Sequence, residues 1–232
     1  THLATFTLSA LLITACGGSS DKAPVENITP LPSFSLSVSD APVDDLSEVV
    51  VCFNQIELKG NGADTVFIVG NEEGMIAVND LCLDNSGDVI PNTVGLDLLQ
   101  YKGSDSIALV DGISIEAGDY TQLRLIMSDG SYGIDAQTSD KISVSVPSNE
   151  LKLDGFTATL GGTVDFTLEF DLNKGMTNPV GQAGYFLKPR GVRLVNNNEA
   201  GHINGTVSET LLIENQCTPL SDSTANVASV YI

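Results

Sequence analysis

Tryptophan is absent from the 232 residues, and histidine occurs only as His2 and His202. The four cysteines, Cys16, Cys52, Cys82 and Cys217, are dispersed, and no His-Glu-x-x-His motif accompanies them. That combination excludes the usual zinc sites. There is no Gly-x-Ser-x-Gly elbow, no phosphate-binding loop and no dinucleotide fingerprint. Basic residues are scarce: 10 stand against 30 acidic ones, for a formal net charge of -20. Such a field repels nucleic acid and anionic headgroups, and favours solubility or cation binding. With no basic patch beside stacking aromatics, nucleic acid is excluded and a typical aromatic sugar platform is poorly supplied. These absences argue against an enzyme.

What is present points to β-structure. Apolar residues make up 42% of the chain, enough for a core despite the charge, and the length suits one substantial domain plus a smaller piece. Gly, Thr, Ser, Asn, Asp and Val are prominent, as in short strands joined by turns. Phe34, Leu36 and Val38 alternate with serines before a break at Asp40-Ala41-Pro42. Residues 48–59, EVVVCFNQIELK, form a long stretch whose apolar phase shifts near Asn54 and Gln55, the mark of a bulge. Further strands are expected at 66–69 and 75–78 around a turn, at 94–99 (or a short helix there), and at 107–110 beyond the turn at 102–105. After the Gly118 turn, Thr121, Leu123, Leu125 and Met127 are expected to share a face.

The clearest period-2 pattern covers residues 164–172. Val164, Phe166, Leu168, Phe170 and Leu172 face one way, and Asp165, Thr167, Glu169 and Asp171 the other, as in a half-buried antiparallel strand. Gly161-Gly162 reads as a hairpin turn, and residues 185–187 and 191–195 close the domain. Gly118-Asp119-Tyr120 is similar to a tyrosine corner, with Gln122 where an immunoglobulin domain would carry Cys. The expected fold is therefore all-β: an antiparallel immunoglobulin-like or transthyretin-like sandwich over residues 33–196.

The first 15 residues, THLATFTLSALLITA, are apolar and uncharged, too short for a permanent span and suited to a secretory signal. Ile13-Thr14-Ala15-Cys16, followed by Gly17 and Gly18, resembles the lipobox of bacterial lipoproteins. The resemblance implies cleavage before Cys16 and acylation of its thiol. Two or three acyl chains, at roughly 0.8 kcal/mol per buried methylene, make a lasting membrane anchor. Neither Met nor a basic stretch precedes the run, so the first residues of the signal are expected to be missing. Gly17 after the Cys, by the same resemblance, implies outer-membrane sorting. Residues 16–32 carry three prolines and no hydrophobic period, which suits a tether.

Several ordered motifs resemble one large uncharacterised family of prokaryotic surface lipoproteins, catalogued as a domain of unknown function. They are Ser39-Asp40-Ala41-Pro42-Val43-Asp44-Asp45, Ile56-Glu57-Leu58-Lys59, Ala117-Gly118-Asp119-Tyr120-Thr121-Gln122-Leu123-Arg124-Leu125, Phe170-Asp171-Leu172-Asn173-Lys174 and Tyr185-Phe186-Leu187-Lys188-Pro189. Asn173 departs from the pattern, where a basic residue is expected. The resemblance implies an envelope location but no established activity. Downstream, Gly201-His202-Ile203-Asn204-Gly205-Thr206-Val207 resembles the first strand of carboxypeptidase-regulatory-like modules, with residues 225–232 as the second. A hairpin cannot bury a core alone, so residues 197–232 are expected to begin a second, truncated β-sandwich module.

An exported protein meets an oxidising compartment, so Cys52 and Cys82 are candidates for a disulfide; two separate buried thiols are the alternative. Cys217 is left to pair beyond the sequence. Asp84, Ser86 and Asp88 alternate as in calcium loops, but Val89 and Gly95 stand where an EF-hand needs Gly and Glu, and an ordinary polar turn is the simpler reading. Asp40, Asp44 and Asp45 form a second possible cation loop, again most simply a turn. No metal site beyond these, and no cofactor other than calcium, is expected. Glu169 and Asp171 face Lys188, Arg190, Arg193 or Arg124 as cross-strand ion pairs, with a glycosidase-like carboxylate pair as the remote alternative.

The expectation is a non-enzymatic, lipid-anchored sandwich at the cell envelope, held to the membrane at Cys16. It would display a surface for a protein or polysaccharide ligand. The alternative is a periplasm-facing assembly lipoprotein that holds another envelope protein by its edge strands.

Overall fold

The computed structural model describes residues 29–41, 45–60, 62, 64–102, 105–181, 183–201, 208, 210 and 214. Nearly all of the regular structure is β. The strands are β1 (Ser33–Ala41), β2 (Leu46–Gly60), β3 (Thr65–Ile68), β4 (Val94–Asp97) and β5 (Ile107–Ser114). They continue with β6 (Gly118–Met127), β7 (Tyr132–Asp135), β8 (Lys141–Ser145), β9 (Glu150–Leu153) and β10 (Phe156–Ala158). The last are β11 (Thr163–Asp171), β12 (Met176–Thr177), β13 (Tyr185–Leu187) and β14 (Val192–Asn196). One helical turn, α1 (Leu172–Gly175), follows β11.

Two sheets pack face to face. The smaller has the order β14-β11-β1-β5; the larger is built around β2. Along one edge of β2 run β4 and then β3, and along the other run β7 and β6, all antiparallel to it. The phase shift near Asn54 corresponds to a register shift between Phe53 and Gln55 in the β2–β6 pair. Serine alternation in β1 and the period-2 pattern of β11 bury Phe34, Leu36, Val38, Val164, Phe166, Leu168 and Phe170 between the sheets.

An all-β sandwich is thus the architecture, with corrections. The sheets are mixed rather than antiparallel: β1 and β11 run parallel from Ser33↔Thr163 to Ala41↔Asp171, and β13 is parallel to β8. Alternation reports which face of a strand is buried and carries no information on the direction of its neighbour. The Gly161-Gly162 turn joins β10 to β11, which lie in different sheets, so it is a crossover and not a hairpin. Thr121 does not join the Leu123, Leu125 and Met127 face. A register shift between Lys59 and Gly60 turns Tyr120 inward and leaves Thr121 exposed, where its hydroxyl donates to the Lys59 carbonyl at 3.2 Å. Of residues 75–78 only Met75 pairs, as an isolated bridge to Val110.

An aromatic cluster joins the two sheets at one pole. Phe34 stacks on Phe67 and Phe156 at 6.1 and 5.8 Å, Tyr120 on Phe156 at 4.9 Å, and Phe156 meets Phe166 at 5.2 Å. Offset aromatic contacts of this kind add to area burial. The Tyr120 hydroxyl donates to the Glu116 carbonyl at 2.9 Å and so ties the start of β6 to the preceding loop.

The chain enters and leaves the sandwich at this same pole. Ser33 N donates to the Gly162 carbonyl at 3.1 Å, and beyond β14 Asn197 N donates to the Asp165 carbonyl at 2.9 Å. The opposite pole holds the end of β1, the start of β2, and α1. Cys16, the signal segment, most of the tether, Asp44, and the regulatory-like hairpin with His202 and Cys217 lie outside the described residues.

Candidate functional site

β2 explains where the site forms. Its run Val49-Val50-Val51-Cys52-Phe53 is buried on both faces, as a near-continuous apolar stretch requires. Val49, Val51 and Phe53 enter the main core, whereas Val50 and Cys52 pack on the outer side with Cys82, Ile90 and Tyr132. The cover on that outer side is the excursion of residues 69–93, which separates β3 from β4.

The excursion first reaches the edge of the smaller sheet. Ile76 N donates to the Leu109 carbonyl at 2.9 Å, and Asp111 N to the Gly74 carbonyl at 2.8 Å. It then returns to β4, where the Asn79 side chain grips Gly95: Nδ2 donates to the Gly95 carbonyl at 2.8 Å and Oδ1 accepts from Gly95 N at 2.9 Å. Three residues later Cys82 is joined to Cys52, with Cα atoms 5.9 Å apart. Both sulfurs are buried, and Cys52 faces Gly95 in the β2–β4 register. A Cβ at Gly95 would lie 2.7 Å from Leu81 Cβ and 2.9 Å from Cys82 Sγ, so only glycine admits the bridge so close to β4. The β6–β7 break accommodates it from the other side. Cys52 N donates to Ser131 Oγ at 2.8 Å and Ser128 N to the Cys52 carbonyl at 2.9 Å, which keeps the strand satisfied across the gap.

Beyond β4, Asp97 opens a 3-10 turn (Leu98–Gln100). Its Oδ1 accepts from Val49 N at 3.1 Å and Leu99 N at 3.2 Å, and its Oδ2 from Gln100 Nε2 at 2.9 Å. Between this turn, the excursion and β5 lies an open cleft of about 370 Å³. Ile76, Leu81, Val94, Leu96, Tyr101 and Ile107 give it apolar walls, and Asn79, Asp97 and Gln100 supply polar groups. Val78, Leu81 and Val89, also on the excursion, are exposed at 51%, 37% and 51%. Asp97 is occupied as an acceptor of backbone and amide N–H groups. The chemistry this arrangement offers is contact with an apolar group and hydrogen bonding at its rim.

The remaining expected residues fall elsewhere. Asp84 and Asp88 form a tight turn off the excursion: Asp84 Oδ1 accepts from Ser86 N at 2.8 Å and Asp88 N at 3.0 Å, and Leu83 bridges Val89. This is a self-closed polar turn. Asp40 occupies the penultimate position of β1, and Asp45 is exposed. Among the described residues no three His, Cys, Asp or Glu side chains are grouped to hold a metal ion. Glu169 and Asp171 are held separately: Glu169 pairs with Arg193 across the β11–β14 ladder, while Asp171 caps α1 and bonds Lys174 Nζ at 2.6 Å. The Lys174 hydrogen bond is the main cause that holds the Asp171 carboxyl below its ordinary value. Arg124 turns instead to Glu150 at 3.3 Å.

Asn79, Gly95 and Asp97 were not legible as site residues. Asp97 carried one signal, an Asp ahead of an apolar pair at a helical start. Asn79 carried none, because its partner is sixteen residues away and is backbone.

Among the described residues no helix is long and apolar enough to cross a membrane. Comparison with known proteins gives one match: the family model described as a domain of unknown function, DUF4382, covers residues 32–189. No curated protein and no solved structure matches.

Proposed function

The chain belongs to the DUF4382 family, a domain of unknown function, and from that premise we propose that it is a lipid-anchored cell-envelope protein whose sandwich acts as a non-enzymatic binding module. Anchoring is supported by the lipobox-like Ile13-Thr14-Ala15-Cys16 and by the Cys52–Cys82 bridge, since disulfides persist in oxidising compartments. Attachment at Cys16 would link the domain to the membrane through the tether of residues 16–32, which joins it where the chain enters β1.

The observation that carries the binding reading is the braced excursion. Residues 69–93 are irregular, yet the disulfide, the Asn79–Gly95 grip and the β5 bridge hold them in place. Loops fixed on a rigid scaffold are where binding surfaces concentrate. This one lines a cleft with apolar walls and leaves Val78, Leu81 and Val89 in solvent.

The test uses the full-length protein in its own cells. Cys16→Ser is expected to release it from membranes; retention of the variant would refute the anchor. Protease added to intact cells is expected to digest the wild type, which supports capture of an external ligand. Protection until the outer membrane is opened would favour an inward-facing assembly role.

A further inference from the structure

The chain has no acidic residue between Asp171 and Glu199, yet four of its 10 basic residues, Lys174, Lys188, Arg190 and Arg193, lie there. In a chain of net charge -20 this segment inverts the local sign. The fold gathers these cations. α1 packs directly on a 3-10 turn (Pro189–Gly191), with Gly175 against Gly191 so closely that a Cβ on either would strike the other's neighbourhood. Lys188 N donates to the Gly175 carbonyl at 3.0 Å, and Arg190 Nε to the Lys174 carbonyl at 3.0 Å. Arg193 stands beside them on β14, near enough to Asp171 to act on its charge.

Two of the four cations are paired among the described residues, Arg193 with Glu169 and Lys174 with Asp171. Lys188 and Arg190 have no carboxylate partner among the described residues. Lys174 and Arg193 keep 74% and 69% of their side chains exposed despite their pairs. The corner sits at the pole opposite the chain entry and is separate from the cleft.

We propose that this corner binds a carboxylate-bearing polysaccharide strand. The guanidinium fork matches a carboxylate in two parallel hydrogen bonds, and the lysines add point charge. The shape of the anion decides its class. Charges are screened beyond about 8 Å at physiological ionic strength, so a thin strand lying on the corner feels mainly the corner itself, where four cations outnumber the two carboxylates paired with them. An anionic bilayer or a nucleic-acid duplex would present its charge across the surrounding acidic surface as well and be repelled. The proposal does not depend on the anchor at Cys16.

The test measures retention of the full chain on immobilised polygalacturonate, with neutral dextran and phosphatidylglycerol vesicles as comparisons. Wild type is expected to bind polygalacturonate, to lose binding as salt rises, and to ignore dextran. Lys174→Gln combined with Lys188→Gln is expected to weaken binding by about tenfold or more. Lys59→Gln combined with Lys152→Gln, which removes the same charge from the outer face of the larger sheet, is expected to change it less than about twofold. Arg193→Gln alone supplies a second readout should the first double variant fail to fold. Absence of wild-type binding at low salt, equal losses in the two double variants, or preferential binding to the vesicles would each overturn the proposal.

Discussion

The side chain of Asn79 serves as a missing strand for Gly95, donating to its carbonyl at 2.8 Å and accepting from its N–H at 2.9 Å. Gly95 is buried, so neither backbone group has water as a substitute. Asn79→Ala leaves both unpaired and is expected to cost about 2 kcal/mol, read as a lower urea midpoint with unchanged slope. Gly95→Ala attacks the same contact sterically, at Leu81 Cβ and Cys82 Sγ, and is expected to destabilise at least as much. Two variants with wild-type midpoints would show that the grip does not hold the excursion.

The Cys52–Cys82 bridge closes a loop with a sequence separation of 30. In the chain-entropy account a loop of that size stabilises by about 3.5 kcal/mol. Cys52→Ala combined with Cys82→Ala is expected to lose about that amount in denaturant unfolding, and reductant is expected to lower the wild-type midpoint while leaving the double variant unmoved. Free thiols at both positions in non-reducing mass mapping would remove the bridge from the account altogether.

Tyr120 links a local signal to the core. Its hydroxyl bonds the Glu116 carbonyl at 2.9 Å while its ring stacks on Phe156. Tyr120→Phe keeps the ring and is expected to cost about 1 kcal/mol, whereas Tyr120→Ala also opens the aromatic cluster and is expected to cost about 3–5 kcal/mol. Equal losses in thermal unfolding would mean that the hydrogen bond, and not the ring, carries the contribution.

The parts of the fold that were readable are those written in side-chain period. Val164 to Phe170 declare a half-buried strand, and the apolar run from Val49 to Phe53 with its slip at Asn54 declares a bulged one. Strand direction was not readable, because Ser35 and Ser37 look the same beside a parallel β11 or an antiparallel one. Nor was the outward turn of Thr121, which depends on a bulge at Gly60 on another strand. The cleft was hidden for a related reason. Its walls come from β4, β5, the Asp97 turn and an excursion with no period of its own, and the Asn79–Gly95 contact that shapes it obeys no spacing rule.

Tyr132 gives the protein an alkaline signature. Its ring lies against the disulfide cluster, its hydroxyl donates to Glu48 Oε1 at 2.8 Å, and Lys141 Nζ sits 3.7 Å from the ring centroid. Burial first, then the hydrogen bond to Glu48 and the negative charges of Glu48 and Asp97, push the phenol up from 10.0 to about 12. A folded-state value raised above the unfolded one means that the fold favours the neutral phenol. The resulting stability is therefore complete below about pH 10 and is lost as pH rises through about 12. In that window the unfolded chain releases its proton first, so wild-type stability is expected to fall more steeply than that of Tyr132→Phe. Phenolate absorbance of the folded protein is expected to include a contribution near pH 12 that the variant lacks. Glu48→Gln removes the acceptor charge but not the burial, so it is expected to bring that titration only part of the way back towards 10. Superimposable absorbance curves for wild type and Tyr132→Phe would sink the assignment.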